Sequence, residues 1–378
     1  VERSRGLGDV YKRQMINGFG RRGYYNSQEI GLGRALARKG HEVMIYKGID
    51  PSEKEEKVQV EKNLTIWYLP MKHLGAHGFM DCKNLDPQLK ALFCFGDQQI
   101  FLPHVYRWCR RRRIPFVAYV GTAHSLDSNF KSKVMNALFA AGTLRIYKKN
   151  PVLAKTSAAK EELRQLGVPH AVIAPVGLDN AVLKKNIPAD EKMRLRKEHG
   201  FEADDVILCN VSRLSWEKRP LELIDLFLQV KGKKKFKLII VGNGPLEEEL
   251  NEKIRKNGLE KEVKIYPNVP YEKMWEIYEM SDYYLNMNKG EIFGMAIMEA
   301  VYYKTSVAAI RALGPSVTLK DMKGHKLCEN DDEMAEWITG PYPSEKDLQE
   351  SSEKMAATFT WDRCADAFLQ ASSEKSSR

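Results

Sequence analysis

Long apolar runs are missing from this 378-residue chain. The longest, such as Leu238–Val241 and Ala137–Ala141, fall far short of the ~18 residues that a membrane-crossing helix needs, so any membrane contact is expected to be peripheral. Cysteine is sparse as well. Six are present, at positions 82, 94, 109, 209, 328 and 364, with no C-x-x-C pair, which suggests neither a zinc site nor a disulfide framework; a reducing, cytoplasmic setting fits best. No repeat of ~20–50 residues and no low-complexity block interrupts the chain apart from basic runs. What is present excludes disorder: 43 % hydrophobic, 29 % charged and 10 % aromatic residues describe a soluble globular protein. The length suggests two domains at ~100–200 residues each. Sixty Lys and Arg against 50 Asp and Glu give a net charge of +10, a bias suited to anionic partners. Nucleic acid is not indicated, because no recognition motif or aromatic interleaving accompanies the charge.

The first fourteen residues stand apart. Val1–Gln14 is polar and carries no apolar period and no signal-peptide core. Asp9–Gln14 resembles the in-frame translation of a sequencing adapter, so residues 1–14 are set aside from the fold. Met15–Gly18 then reads as the end of a strand whose usual apolar run is absent, which implies a truncated first strand.

From Met15 onward, short β-rich runs alternate with helical periods, the pattern of parallel α/β units. Residues 15–176 are expected to form a first domain, with a helix over Tyr25–Lys39 and strands at His41–Tyr46, Ala91–Phe95, Phe116–Val120, Leu144–Tyr147 and Ala171–Ala174. Gly177–Pro188 reads as a hinge. A second domain, 177–361, is expected to carry strands at Val206–Val211, Phe236–Val241, Val263–Tyr266, Tyr283–Met287 and Ser306–Ile310. Helices Pro220–Val230, Leu246–Asn257, Glu272–Met280 and Gly294–Tyr303 fall between them. A helix and polar tail, 362–378, close the chain.

Three motifs bear on chemistry. Gly18-Phe19-Gly20-Arg21-Arg22-Gly23 matches G-x-G-x-x-G between a strand remnant and a helix, a loop that lets backbone N–H groups approach a phosphate. A dinucleotide enzyme would place an acid ~20 residues further on to hold ribose, yet Lys47 stands there, which suits only a 2′-phosphate. A tight turn that needs glycine for its conformation is the plainer explanation. Next, Arg213 and Lys218 follow the second domain's first strand, where open α/β sheets bind ligands; Arg213 can fork onto two phosphate oxygens and Lys218 adds a point charge. Third, Glu291 and Glu299 lie eight apart across a loop-to-helix junction, with Gly294 opening the helix toward an anion. A carboxylate accepts from both hydroxyls of a vicinal diol, so two acids around a diphosphate suit a sugar at one end and a ribose at the other. The largely apolar helix around Glu299 gives that acid a reason to be there.

These residues resemble the family 4 glycosyltransferases. The likeness runs from about Gly18 to Asp362 and is strongest over Val206–Ala300. It rests on Arg213 with Lys218, Val241-Gly242-Asn243-Gly244-Pro245 after a strand, and Glu291-x7-Glu299 enclosing Phe293-Gly294. The resemblance implies a GT-B fold: two Rossmann-like α/β domains facing across a cleft, with the C-terminal helix returning to the first. It also implies retaining, metal-independent transfer of a sugar from a nucleotide diphosphate-sugar, used as co-substrate with no cofactor, to a glycan or lipid-linked acceptor of cell-envelope or exopolysaccharide synthesis. Arg213 and Lys218 would hold the diphosphate, Glu299 the ribose, and Glu291 the sugar hydroxyls. Phe293, Gly294, Gly242, Gly244 and the first-domain His124 would line the donor site, and Gly18, Gly20 and Gly23 the acceptor or phosphate loop. The chain departs from the family at Tyr303–Ser306 and at Leu313-Gly314-Pro315, and it has no D-x-D, the metal-holding motif of the other transferase fold. Arg107–Arg113 is either a cationic helix end that complements the dipole or a patch for anionic lipid at the inner membrane face. Two alternatives compete: an NADP-dependent oxidoreductase built on Gly18–Gly23, and a non-catalytic glycan-binding module of the same fold.

Overall fold

The computed structural model describes residues 12–19, 28–74, 77–96, 101–123, 130–180 and 182–373. They form two α/β units, one holding the chain up to Gly177 together with the segment from Thr360, the other Leu178–Phe359.

The first unit is built on β1 (Lys12–Phe19), β2 (Glu42–Ile49), β3 (Glu56–Glu61) and β4 (Leu64–Pro70), then a small hairpin of β5 (His73–Leu74) and β6 (His77–Gly78). After these come β7 (Ala91–Phe95), β8 (Phe116–Val120), β9 (Val152–Ala154) and β10 (Val172–Ile173). The large sheet has the order β10-β9-β8-β7-β1-β2-β4-β3, parallel throughout except for β3 against β4. Its centre is the apolar pair β7 and β8, buried along their whole lengths as strands covered on both faces must be.

Two expectations need correction. Lys12, Arg13 and Gln14, set aside on the sequence, pair with Glu42, Val43 and Met44 of β2, and Arg13 and Gln14 also pair with β7. The first unit's sheet therefore starts at Lys12 rather than Met15. A ladder is made of main-chain donors and acceptors, and two buried flanking strands require such a partner whatever its side chains. Leu144–Tyr147 is not a strand but part of the helix Thr143–Tyr147, because a short continuous apolar run carries no period that separates strand from helix. Its Tyr147 hydroxyl donates to the Gly96 carbonyl at 2.7 Å.

The C-terminal helix Trp361–Ser373 belongs to the first unit. Trp361 is fully buried against the helix Gln28–Arg38, where a Cβ on Gly31 would lie 2.1 Å from its indole nitrogen. Phe368 meets Phe93 of β7 edge to face at 4.7 Å, and Lys39 pairs with Asp366 at 2.7 Å.

The second unit holds six parallel strands: β11 (Val206–Val211), β12 (Phe236–Val241), β13 (Val263–Tyr266), β14 (Tyr283–Asn286), β15 (Ser306–Ile310) and β16 (Lys326–Cys328). Their order is β13-β12-β11-β14-β15-β16. The chain moves outward from β11 to β13 and then returns to β14 on the other side of β11. The C-terminal ends of β11 and β14 thus flank the point where strand order reverses, the place where open α/β sheets gather ligands. Leu223, Ile224 and Phe227 of the helix Pro220–Val230 join Leu208, Ile240 and Leu285 in one core that fixes these strand ends.

Candidate active site

Both cationic residues singled out in the second unit leave the end of β11. Arg213 is exposed, and Lys218 closes a single 3-10 turn, Trp216–Lys218. The loop is fixed by backbone contacts with the segment that follows β12. Leu214 N–H donates to the Asn243 carbonyl at 2.9 Å, and Leu246 N–H donates to the Leu214 carbonyl at 3.1 Å. This explains two glycines. A Cβ on Gly242, whose φ is +143°, would lie 1.9 Å from the Ser212 carbonyl oxygen, and one on Gly244 would lie 2.3 Å from that of Leu214. Only glycine lets the two loops approach so closely.

The acidic half leaves the end of β14. Lys218 Nζ donates to Glu291 Oε2 at 2.8 Å, and Asn288 Nδ2 donates to the same oxygen at 3.1 Å. Burial pushes the Glu291 carboxyl up, but the charge of Lys218 and hydrogen bonds from Lys218, Asn288 and Asn286 outweigh it, leaving the group below its ordinary range. Phe293 is buried. Gly294 caps the helix Met295–Tyr302 at φ +84°, and Gly314 braces the loop: its N–H donates to the Glu291 carbonyl at 2.8 Å, and a Cβ there would lie 2.5 Å from Phe293 N.

Glu299 sits mid-helix and is 5 % exposed. Tyr278 donates its hydroxyl to Oε2 at 2.8 Å, and the Tyr271 hydroxyl lies 3.4 Å from Oε1. Burial first, then the charge of Glu299, holds the Tyr278 phenol well above its usual value, so it remains a donor. A small recess beside Glu299 is walled by Tyr271, Trp275, Tyr278 and Tyr303.

Sequence reasoning missed the residues that contact these acids, Tyr271, Tyr278 and Asn288. It also missed Arg219, left-handed at φ +55° and forked onto Asp331 at 3.0 and 2.8 Å. Tyr271 and Tyr278, seven apart on the approach to β14, were the available signal for the pair on Glu299.

Gly18 lies within β1, where the pairing with β2 skips a residue between Asn17 and Phe19, so it is a bulge residue rather than part of a turn. Gly20, Gly23 and His124 fall outside the described residues. Lys47, at the place of a dinucleotide acid, is bound to buried Glu29 at 3.0 Å. Arg107 and Arg110–Arg113 are all exposed, with no ion pair among the described residues, and Arg112 lies over the Trp108 ring at 4.6 Å. No helix among the described residues is long and apolar enough to cross a membrane.

Comparison with known proteins gives a family model over part of the second unit and relatives that extend over most of the chain. Residues 191–354 match the family model of the glycosyl transferases group 1. A D-inositol 3-phosphate glycosyltransferase of Xylanimonas cellulosilytica is 23 % identical, over 96 % of this chain and 94 % of the relative. An alpha-monoglucosyldiacylglycerol synthase of Acholeplasma laidlawii is 21 % identical, over 72 % and 73 %. Among solved structures, the sucrose-phosphate synthase of Thermosynechococcus elongatus superimposes with a TM-score of 0.74 at 15 % identity, over 97 % of this chain and 100 % of that one. HepE of Anabaena, solved with UDP-glucose, gives 0.71 at 16 % identity, over 97 % and 100 %. The chain has the GT-B fold, and its residues 191–354 are similar to the glycosyl transferases group 1.

Proposed function

We propose that the protein transfers a sugar from a nucleotide diphosphate-sugar to a glycan or lipid-linked acceptor, with retention at the anomeric carbon and without a metal. The observation that carries this reading is the union of the two motifs at the reversal point of the second sheet, where Lys218 meets Glu291. Arg213 is exposed on the Lys218 loop and Glu299 is buried on the helix that follows Glu291. In this reading Arg213 and Lys218 hold the diphosphate and stabilise the charge that develops as the bond from anomeric carbon to diphosphate oxygen breaks. Glu299 accepts from the ribose diol and Glu291 from sugar hydroxyls. The Phe293-Gly294 backbone borders the donor. The acceptor oxygen takes the leaving group's place on the same face of the ring, and its proton departs with the nucleoside diphosphate. No side chain is assigned as nucleophile.

The exposed arginines at 107 and 110–113 suit an anionic lipid surface, which fits a lipid-linked acceptor handled at the inner face of a membrane in envelope or exopolysaccharide synthesis. The oxidoreductase reading is weakened, because the basic residue it needs for a 2′-phosphate, Lys47, is already neutralised by Glu29. A panel of nucleotide-sugars assayed for nucleoside diphosphate release, with the product's anomeric configuration read by NMR, tests the proposal. Stimulated release with a retained anomer is expected. Binding of glycan with no release would instead select the non-catalytic module, and stabilisation by NADP alone would select the oxidoreductase.

A further inference from the structure

The loop that carries Glu291 holds a relay of amides with no part in the chemistry outlined above. Asn286 and Asn288 are each 6 % exposed, an unusual burial for amides at a strand end unless their groups are used. They are. The Asn286 side-chain oxygen accepts from Asn288 N–H at 3.0 Å, and that of Asn288 accepts from Gly290 N–H at 2.9 Å. The remaining end of Asn288, its amide nitrogen, reaches Glu291 Oε2 at 3.1 Å. Lys218 comes to that same oxygen from the loop after the neighbouring strand β11 at 2.8 Å. The two short contacts converge on Oε2, so the carboxylate is pinned in one rotation, and Oε1 keeps a lone pair for a ligand hydroxyl.

We propose that Asn288 is a positioning residue for the donor site: it turns Glu291 so that Oε2 stays with Lys218 while Oε1 is presented to the donor sugar. This rests on the reading of Glu291 as a sugar contact. It accounts for three otherwise separate features, the buried pair of asparagines, the bend of the loop onto Gly290, and the convergence of an amide and an ammonium on one oxygen. Without Asn288, Oε2 would be left to Lys218, a long flexible cation that does not by itself fix the carboxylate's rotation, with Asn286 as the acid's other hydrogen-bond partner. The titratable groups that face Glu291 are Lys218 and, from β14, Tyr284.

The test uses the full chain with Asn288→Ala and Asn288→Ser, and carbon-13 NMR of labelled glutamate side chains, the Glu291 signal being assigned by Glu291→Gln. Asn288→Ala is expected to move the Glu291 titration upward by about 0.5–1 unit with thermal stability nearly unchanged. Asn288→Ser, which restores a short donor, is expected to recover part of that shift. Titration with UDP-glucose and with UDP as probes is expected to show preference for the sugar nucleotide falling about 10-fold in Asn288→Ala, while affinity for UDP is kept. A Glu291 titration that stays put overturns the positioning role, whatever the donor. A titration that moves while the preference for UDP-glucose over UDP is unchanged also overturns it. If Glu291→Gln leaves that preference unchanged too, the sugar-contact reading itself has failed, which separates the two.

Discussion

Gly242→Ala isolates the link between loop packing and chemistry. The new Cβ would start 1.9 Å from the Ser212 carbonyl oxygen and 2.9 Å from its carbon, on a backbone at φ +143°. An ordinary contact there needs more than 3 Å, so the Ser212–Leu214 segment must retreat by over about 1 Å or the alanine must abandon its φ. The backbone conformation alone costs about 1–3 kcal/mol. Retreat breaks the register in which Ser212 N–H donates to the Val241 carbonyl at 3.0 Å and Leu214 N–H to that of Asn243, adding about 1 kcal/mol. A total of about 2–4 kcal/mol in a unit of this size lowers its Tm by roughly 5–15 °C. Because Arg213 sits between the displaced residues, a shift of about 1 Å is expected to cost about 100-fold in kcat/KM for the donor. Gly232→Ala is the control: φ is +87° but nothing lies within 4 Å, so a loss of about 1–2 kcal/mol with turnover intact is expected. Differential scanning calorimetry and donor kinetics on both variants decide the matter. Gly242→Ala with wild-type turnover and stability would refute the claim that the two loops fix Arg213 by close backbone approach.

Other consequences follow from the same geometry. Tyr278→Phe removes the 2.8 Å donor from a buried carboxylate and is expected to destabilise by about 1–3 kcal/mol in urea melts, with a smaller loss in Tyr271→Phe, whose contact is 3.4 Å. Trp361→Ala, emptying a fully buried site between the C-terminal helix and Gly31, is expected to cost about 3–5 kcal/mol by the same measurement. Burial pushes His325 down to about 4 while its Nδ1 accepts from Val307 N–H at 3.0 Å. The unfolded chain therefore binds more protons between about pH 6.5 and 4, and stability falls as pH drops through that window by up to about 3 kcal/mol; His325→Asn, which keeps an acceptor, is expected to flatten that limb of the stability curve.

Legibility in the sequence followed burial. β11, β12 and β15 begin and end where their short, largely apolar runs do, because strands covered on both faces need mostly apolar residues. The pair β3 and β4 was not anticipated, since β3 alternates only between exposed and half-exposed residues at the sheet's edge. β1 was misjudged because a central strand is required by its neighbours' main chains, which the residues Lys12–Gln14 do not advertise. Among the candidate site residues, Arg213, Lys218 and Glu291 follow strand ends that the sequence marks, and Glu299 stands out as an acid eight positions after Glu291 in a largely apolar helix. Tyr278 was marked only by its seven-residue spacing from Tyr271, because its partner Glu299 lies 21 positions away and the packing of two helices brings them together. Asn288 was hidden for another reason: an amide in a loop reads as turn chemistry, and only its contact with Glu291 Oε2 shows what it orients.

The central claim is that the reversal point of the second sheet binds a nucleotide diphosphate-sugar through Arg213, Lys218, Glu291 and Glu299. Calorimetric titration of the full chain with a panel of nucleotide-sugars, UDP-glucose among them, with and without EDTA, measures this most directly. The account predicts one binding event per chain, indifferent to EDTA and weakened at least about 10-fold by Arg213→Ala and by Glu299→Gln. Absence of binding across the panel, or binding that neither substitution alters, would contradict it.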